Sequence, residues 1–203
     1  MIQRPIFFII LPLLCLLLMP SALWAQPDNI HLIKSTVNQA ITILNDPELS
    51  LPENLELRRT RLRETLYKEF DFARMAQGAV GRKWRKFSPS QKEKFIPLFT
   101  RILENTYLAR VEQYQGEEVE FTKEVRQTKR ITRVDSVVTS KSQKYDLSYR
   151  LYKDDANWKI FDVIIEGVSV IANYRAQFQQ ILKNSSVDGL LAKLEEKLEK
   201  EEG

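Results

Sequence analysis

Residues Asn157–Phe178, NWKIFDVIIEGVSVIANYRAQF, decide the fold. The first half reads as a strand with apolar side chains on both faces. Trp158, Ile160 and Ile164 fall on one side with Asp162 among them, and Phe161, Val163 and Ile165 fall on the other. A strand apolar on both faces is covered on both faces. Gly167 ends it, and Val170, Ile171, Tyr174, Phe178 and Leu182 follow at helical spacing. A two-sided strand feeding an amphipathic helix walls either a solid core or a cavity.

Upstream of this strand the chain alternates with period two. Val119, Phe121 and Val125 open one strand, Arg130–Thr139 is a second and Lys144–Lys153 a third. The third sets Tyr145, Leu147, Tyr149 and Leu151 against Asp146, Ser148 and Arg150, so its apolar face looks inward. Lys141-Ser142-Gln143 and residues 154–157, Asp-Asp-Ala-Asn, are short, mainly polar connections, as hairpins require. Four consecutive strands with short turns predict an antiparallel meander.

Helical patterns flank the meander. Asp28 is placed to cap a helix running to about Leu44, with Ile33, Val37, Ala40, Ile41 and Leu44 on one face. Leu55, Leu62, Leu66 and Phe70 mark a second helix and Phe72–Val80 a third. Ser88-Pro89-Ser90-Gln91 supplies a serine cap, a proline at the first position and a capping-box glutamine for a long fourth. A tail helix from Val187 to Lys200 carries Leu190, Leu194 and Leu198 in a stripe. Helices, then a sheet, then helices predict an α+β fold: a four-stranded antiparallel sheet with helices packed on one face.

Residues 1–25 read as a secretory signal peptide. Arg4 forms a short basic region, Ile6–Met19 is a continuous apolar run, and cleavage is expected after Ala25. Residues 26–203 then form one domain, long enough to bury a core without covalent staples. The only cysteine, Cys15, leaves with the signal, so neither disulfide nor thiol chemistry is expected. Loss of Arg4 takes the formal charge from +4 to +3, too little to argue for nucleic acid. Basic residues cluster at Arg82, Lys83, Arg85 and Lys86 and again from Lys123 to Arg133. Such clusters read as solvated faces or as surfaces for acidic partners.

Catalytic signals are thin. His31 is the only histidine, and the chain has no metal-ligand spacing, no phosphate-binding glycine loop and no nucleophile motif. No catalytic residue, metal or cofactor is expected. Asp162 and Glu166, four apart on one strand, share a face near Tyr149, which leaves open a general base of the kind found in α+β isomerases. A structural carboxylate is the simpler reading. The inward apolar candidates are Phe99, Ile102, Tyr107, Tyr145, Leu147, Tyr149, Leu151, Phe161, Val163, Ile165, Val168, Ile171 and Tyr174. On composition alone they read as a filled core.

Three stretches carry a family resemblance. WKIFDVIIEGVSVIANYRAQF (Trp158–Phe178), FDFARMAQGAVGRKWRKFSPSQ (Phe70–Gln91) and FIPLFTRILENTYLARVEQY (Phe95–Tyr114) resemble the Mla-pathway periplasmic phospholipid-binding proteins, the MlaC-type or toluene-tolerance family. The likeness runs in order from about Phe70 to Leu191, and Pro97 departs from it. The resemblance implies that sheet and helices enclose an apolar pocket for lipid acyl chains, lined by the inward candidates. It also implies a monomeric periplasmic carrier of diacyl phospholipid, not an enzyme. Such a carrier would shuttle lipid between an outer-membrane lipoprotein complex and an inner-membrane ABC transporter and so maintain outer-membrane lipid asymmetry. On the residues alone, a hydrolase or isomerase of a hydrophobic small molecule and an adaptor with a filled core stay open. In the carrier reading Arg175 points toward the pocket rim, where its guanidinium would pair with a lipid phosphate, or toward the surface, where it makes an ordinary ion pair.

Overall fold

A computed structural model describes residues 29–155 and 157–202. The expected signal peptide, and Asp28 as a helix cap, lie outside the described residues. The helices before the sheet are α1 (Asn29–Leu44), α2 (Leu55–Tyr67), α3 (Phe72–Val80) and α4 (Pro89–Glu112). α4 begins with the capping box expected from its sequence. Ser88 Oγ accepts the Gln91 N–H at 3.1 Å, and Gln91 Oε1 accepts the Ser88 N–H at 3.0 Å. The helix continues through Pro97, which faces solvent.

The sheet is antiparallel throughout, in the order β1 (Glu118–Thr128), β2 (Ile131–Thr139), β3 (Lys144–Lys153), β4 (Trp158–Ile165) and β5 (Val168–Ser169). It therefore has five strands where four were expected. The fifth is two residues long, too short to show a period. It forms because Glu166 (φ 49°) and Gly167 (φ 77°) fold the chain back in a two-residue turn. Positive φ at both central positions suits the right-handed twist of a hairpin. After β5 come α5 (Val170–Asn184) and α6 (Val187–Glu202).

A bulge in β4 corrects the reading of its faces. Leu151 pairs with Ile160 but Arg150 pairs with Asp162, leaving Phe161 unmatched. One extra residue reverses the alternation beyond it. Trp158 and Ile160 therefore share the face of Val163 and Ile165, which pair with Tyr149 and Leu147. Asp162 falls on the opposite face with Arg150. A similar irregularity in β1 between Phe121 and Lys123 turns Glu124, not Val125, to the inner face opposite Val134.

That inward carboxylate holds α1 on the sheet. Glu124 accepts the Asn29 backbone N–H at 3.2 Å, its side-chain amide at 2.8 Å and the Thr132 hydroxyl at 2.8 Å. α1 then buries Ile33 against Val134, Tyr149, Leu151 and Ile160. On the other side of the molecule α3, the first half of α4, α5 and α6 build a separate core around Phe95, Phe99, Tyr174, Phe178 and Leu190.

Candidate functional site: an apolar cavity between sheet and helices

Between the inner face of the sheet and helices α1, α2 and α4 lies a cavity of about 640 Å³. That lies within the usual range for sites that enclose a small molecule or lipid segment. α1 contributes Ile33, Val37, Ala40, Ile41 and Leu44. α2 contributes Leu66 and Tyr67, the bend after it Phe70, the start of α3 Phe72, and α4 Leu103, Tyr107, Leu108 and Val111. The sheet adds Val119, Val138, Tyr145, Leu147, Tyr149, Ile160, Val163 and Ile165.

Polar groups concentrate at one end, where α4 finishes, β2 passes into β3, and β4 turns into β5. Arg110, Tyr114, Glu117, Gln143 and Glu166 ring that rim. Toward the other end of the cavity the chain between α2 and α3 crosses β4. There the Asp71 N–H donates to the Ile160 carbonyl, and the Ile160 N–H to that of Glu69, both at 2.8 Å. The hydroxyls of Thr36 and Thr100 bond back to the Leu32 and Ile96 carbonyls, at 3.0 and 2.9 Å, so both residues satisfy their polar atoms within their own helices. Burial raises the phenol pKa of Tyr149, which stays a neutral hydroxyl deep in the wall. Tyr67 is raised in the same direction by burial and by its bond to Glu104.

The inward candidates divide sharply. Tyr107, Tyr145, Leu147, Tyr149, Val163 and Ile165 line the cavity. Phe99, Ile102, Ile171 and Tyr174 do not; they belong to the helical core. Leu151 is buried under α1. Phe161 is the bulged residue and carries the Arg150 guanidinium 4.9 Å from its ring centre. Val168, at 60% exposure, points to solvent. Arg175 is likewise not at the rim: its Nε donates to the Gly78 carbonyl at 2.7 Å and ties α5 to α3.

The bulge also separates the two carboxylates that were expected to share a face. Asp162, 2% exposed, accepts the Ser169 hydroxyl at 2.7 Å and the Ile171 N–H at 3.2 Å, and lies 3.7 Å from Arg150. It caps α5 on the side of the sheet away from Tyr149, whereas Glu166 stands at the cavity rim. Among the described residues no group of histidine, cysteine, aspartate and glutamate is arranged to hold a metal ion.

Sequence reasoning missed the contribution of α1 and α2 to the wall. The signal was present for α1, whose apolar face reads as Ile33, Val37, Ala40, Ile41 and Leu44. It reads equally as a face packed on a filled core.

Comparison with known proteins places this geometry. A family model described as MlaC protein matches residues 34–196. The intermembrane phospholipid transport system binding protein MlaC of Haemophilus influenzae is 20% identical over 177 residues, covering 85% of this chain and 83% of that protein. A phospholipid-binding protein from Ralstonia solanacearum, solved in complex with a phospholipid, superposes with a TM-score of 0.75 at 27% identity. The match covers 84% of this chain and 97% of that one.

Proposed function

The chain belongs to the MlaC family, and on that premise we propose that it carries phospholipid through the periplasm. The acyl chains occupy the cavity between sheet and helices, and the headgroup stays at the polar rim. The carrier meets an outer-membrane lipoprotein complex on one side and an inner-membrane ABC transporter on the other, exchanging lipid with each. This traffic maintains the lipid asymmetry of the outer membrane. The protein works as a binding protein, not as an enzyme.

The observation that carries this reading is the cavity itself: mainly apolar below the rim, with polar groups concentrated at one end. Each methylene removed from water is worth about 0.8 kcal/mol, so two acyl chains of about fifteen methylenes each cost on the order of 20 kcal/mol to expose. A lipid crosses an aqueous compartment only if something hides both tails. A phosphate left unpaired in the same apolar space would be costly, so an amphipathic cargo requires this polarity gradient. The bound phospholipid of the Ralstonia relative supports the same occupant.

The test is transfer of a fluorescent phospholipid between donor and acceptor vesicles. The rate is expected to rise in proportion to added protein, with lipid recovered on the protein. Transfer no faster than the spontaneous rate, with no lipid on the protein, would overturn the reading.

A further inference from the structure

Below the rim the cavity wall carries charge at one place, on the side where α2 faces α4. Arg63, Tyr67 and Glu104 meet there, and all three line the cavity. One Glu104 oxygen accepts the Arg63 Nε–H, and the other accepts the Tyr67 hydroxyl at 2.5 Å. The carboxylate is well buried, its side chain 13% exposed, and both of its oxygens are engaged. Arg63 is not used up in the same way. A guanidinium carries five N–H donors in a fixed plane, and among the described residues only its Nε–H has an acceptor. The Nη donors are left over on a side chain that lines an otherwise apolar wall.

Such an arrangement suits one kind of ligand atom. Glu104 already balances the charge of Arg63, so a second full negative charge gains little there. A neutral oxygen with free lone pairs gains a charge-assisted hydrogen bond. Depth points the same way. Glu104 lies six residues before Arg110 on α4, about 9 Å further from the rim at 1.5 Å per residue. In a phospholipid whose headgroup stays at the rim, the first polar atoms below it are the acyl ester carbonyls. We propose that Arg63, held in place by Glu104 and Tyr67, donates hydrogen bonds to the ester carbonyl oxygens of the bound lipid. The cavity thereby favours ester-linked over ether-linked diacyl chains. This rests on the carrier reading above.

The test compares two probes that differ only in those carbonyls: a dioleoyl phospholipid and its dialkyl ether analogue with the same headgroup. Each is offered in vesicles, and the lipid on the repurified protein is counted. The native protein is expected to load the ester at least about ten-fold better, the loss of one hydrogen bond to a charged donor. Arg63→Met keeps an unbranched apolar stem without donors and should bring the two lipids to equal loading, while Arg63→Lys restores part of the preference. The readout is a ratio within one protein, so a stability loss common to both lipids cancels. If Arg63→Met does not fold because Glu104 is left unpaired, Arg63→Met with Glu104→Gln removes that charge and gives the same comparison. Equal loading by the native protein would overturn the proposal and leave the carrier reading standing. A preference that survives Arg63→Met would also overturn it. If the native protein loads neither lipid, the carrier reading fails and this proposal falls with it.

Discussion

α4 passes through two unlike neighbourhoods. Its first half is locked into a solid. The Phe95 ring stacks 5.7 Å from Phe99 and meets Phe178 edge-on at 5.6 Å, while Phe99 meets Tyr174 edge-on at 5.1 Å. Its second half presents Leu103, Tyr107, Leu108 and Val111 to a cavity. Both stretches are apolar at helical spacing. What differs is what stands opposite: the rings of α5 in the first case, and in the second a sheet held off by α1 and α2. Apolar residues therefore specify that a surface leaves water, and not whether protein or cargo covers it.

The largest expected contrast breaks or confirms that division directly. Phe99→Ala opens a void in a filled core and should cost about 3–5 kcal/mol by chemical denaturation. Leu147→Ala enlarges a space that already exists, creates no new void, and should cost about 1 kcal/mol. Equal losses at the two sites would mean that the sheet side is filled core as well.

Replacing the same leucine with a charge sharpens the comparison. Leu147→Glu places a carboxylate in the path of an acyl chain, and an unpaired charge in apolar surroundings is strongly disfavoured. Co-purifying lipid should be lost while the circular-dichroism spectrum stays native, because the helical core is untouched. A folded variant with its lipid content intact would place the cargo elsewhere.

Asp162→Asn probes a carboxylate that the bulge has turned away from the cavity. It should lower stability by about 1–3 kcal/mol, since Arg150 loses its charged partner and the start of α5 loses a charged acceptor. Lipid content should not change. A variant of native stability with altered lipid loading would return Asp162 to the site.

The smallest effect belongs to the outer face of the sheet. Burial pushes the Asp135 carboxyl up, but hydrogen bonds from Arg133 and Ser148 and the charges of Arg133 and Lys123 hold it below the usual carboxylate range. A carboxyl whose folded value is lowered stabilises the fold above its unfolded value. That contribution disappears as pH falls through the folded value. Asp135→Asn should therefore cost under about 1 kcal/mol at neutral pH, with the difference from the native protein vanishing in acid and lipid loading unaffected. A gap that widens as pH falls would contradict that sign.

The α+β class, the element order and the α4 capping box are legible in the sequence because each rests on local chemistry: period two, period 3.6, and Ser88 with Gln91. The faces of β4 are not legible beyond Ile160. A bulge is an event between two strands, and nothing in WKIFDVII announces that Phe161 has no partner. The same slip misplaced Asp162 relative to Tyr149. The exposure of Val168 is not legible either, because the two-residue β5 is too short to carry a period that would separate an inward from an outward side chain. Phe99, Ile102, Ile171 and Tyr174 are buried as their spacing requires, but burial alone does not separate a core from a cavity wall. Arg63 and Glu104 escaped notice because they lie on different helices, and charges on a helix surface read as solvated until a cavity appears between them.

The central claim, that the space behind the sheet is held for a lipid, meets its most direct test in native mass spectrometry of protein taken from a periplasmic extract. The account predicts a bound mass that matches a diacyl phospholipid on the native chain and is missing from Leu147→Glu. A native chain that flies bare, with the same mass under gentle and harsh desolvation, would contradict it.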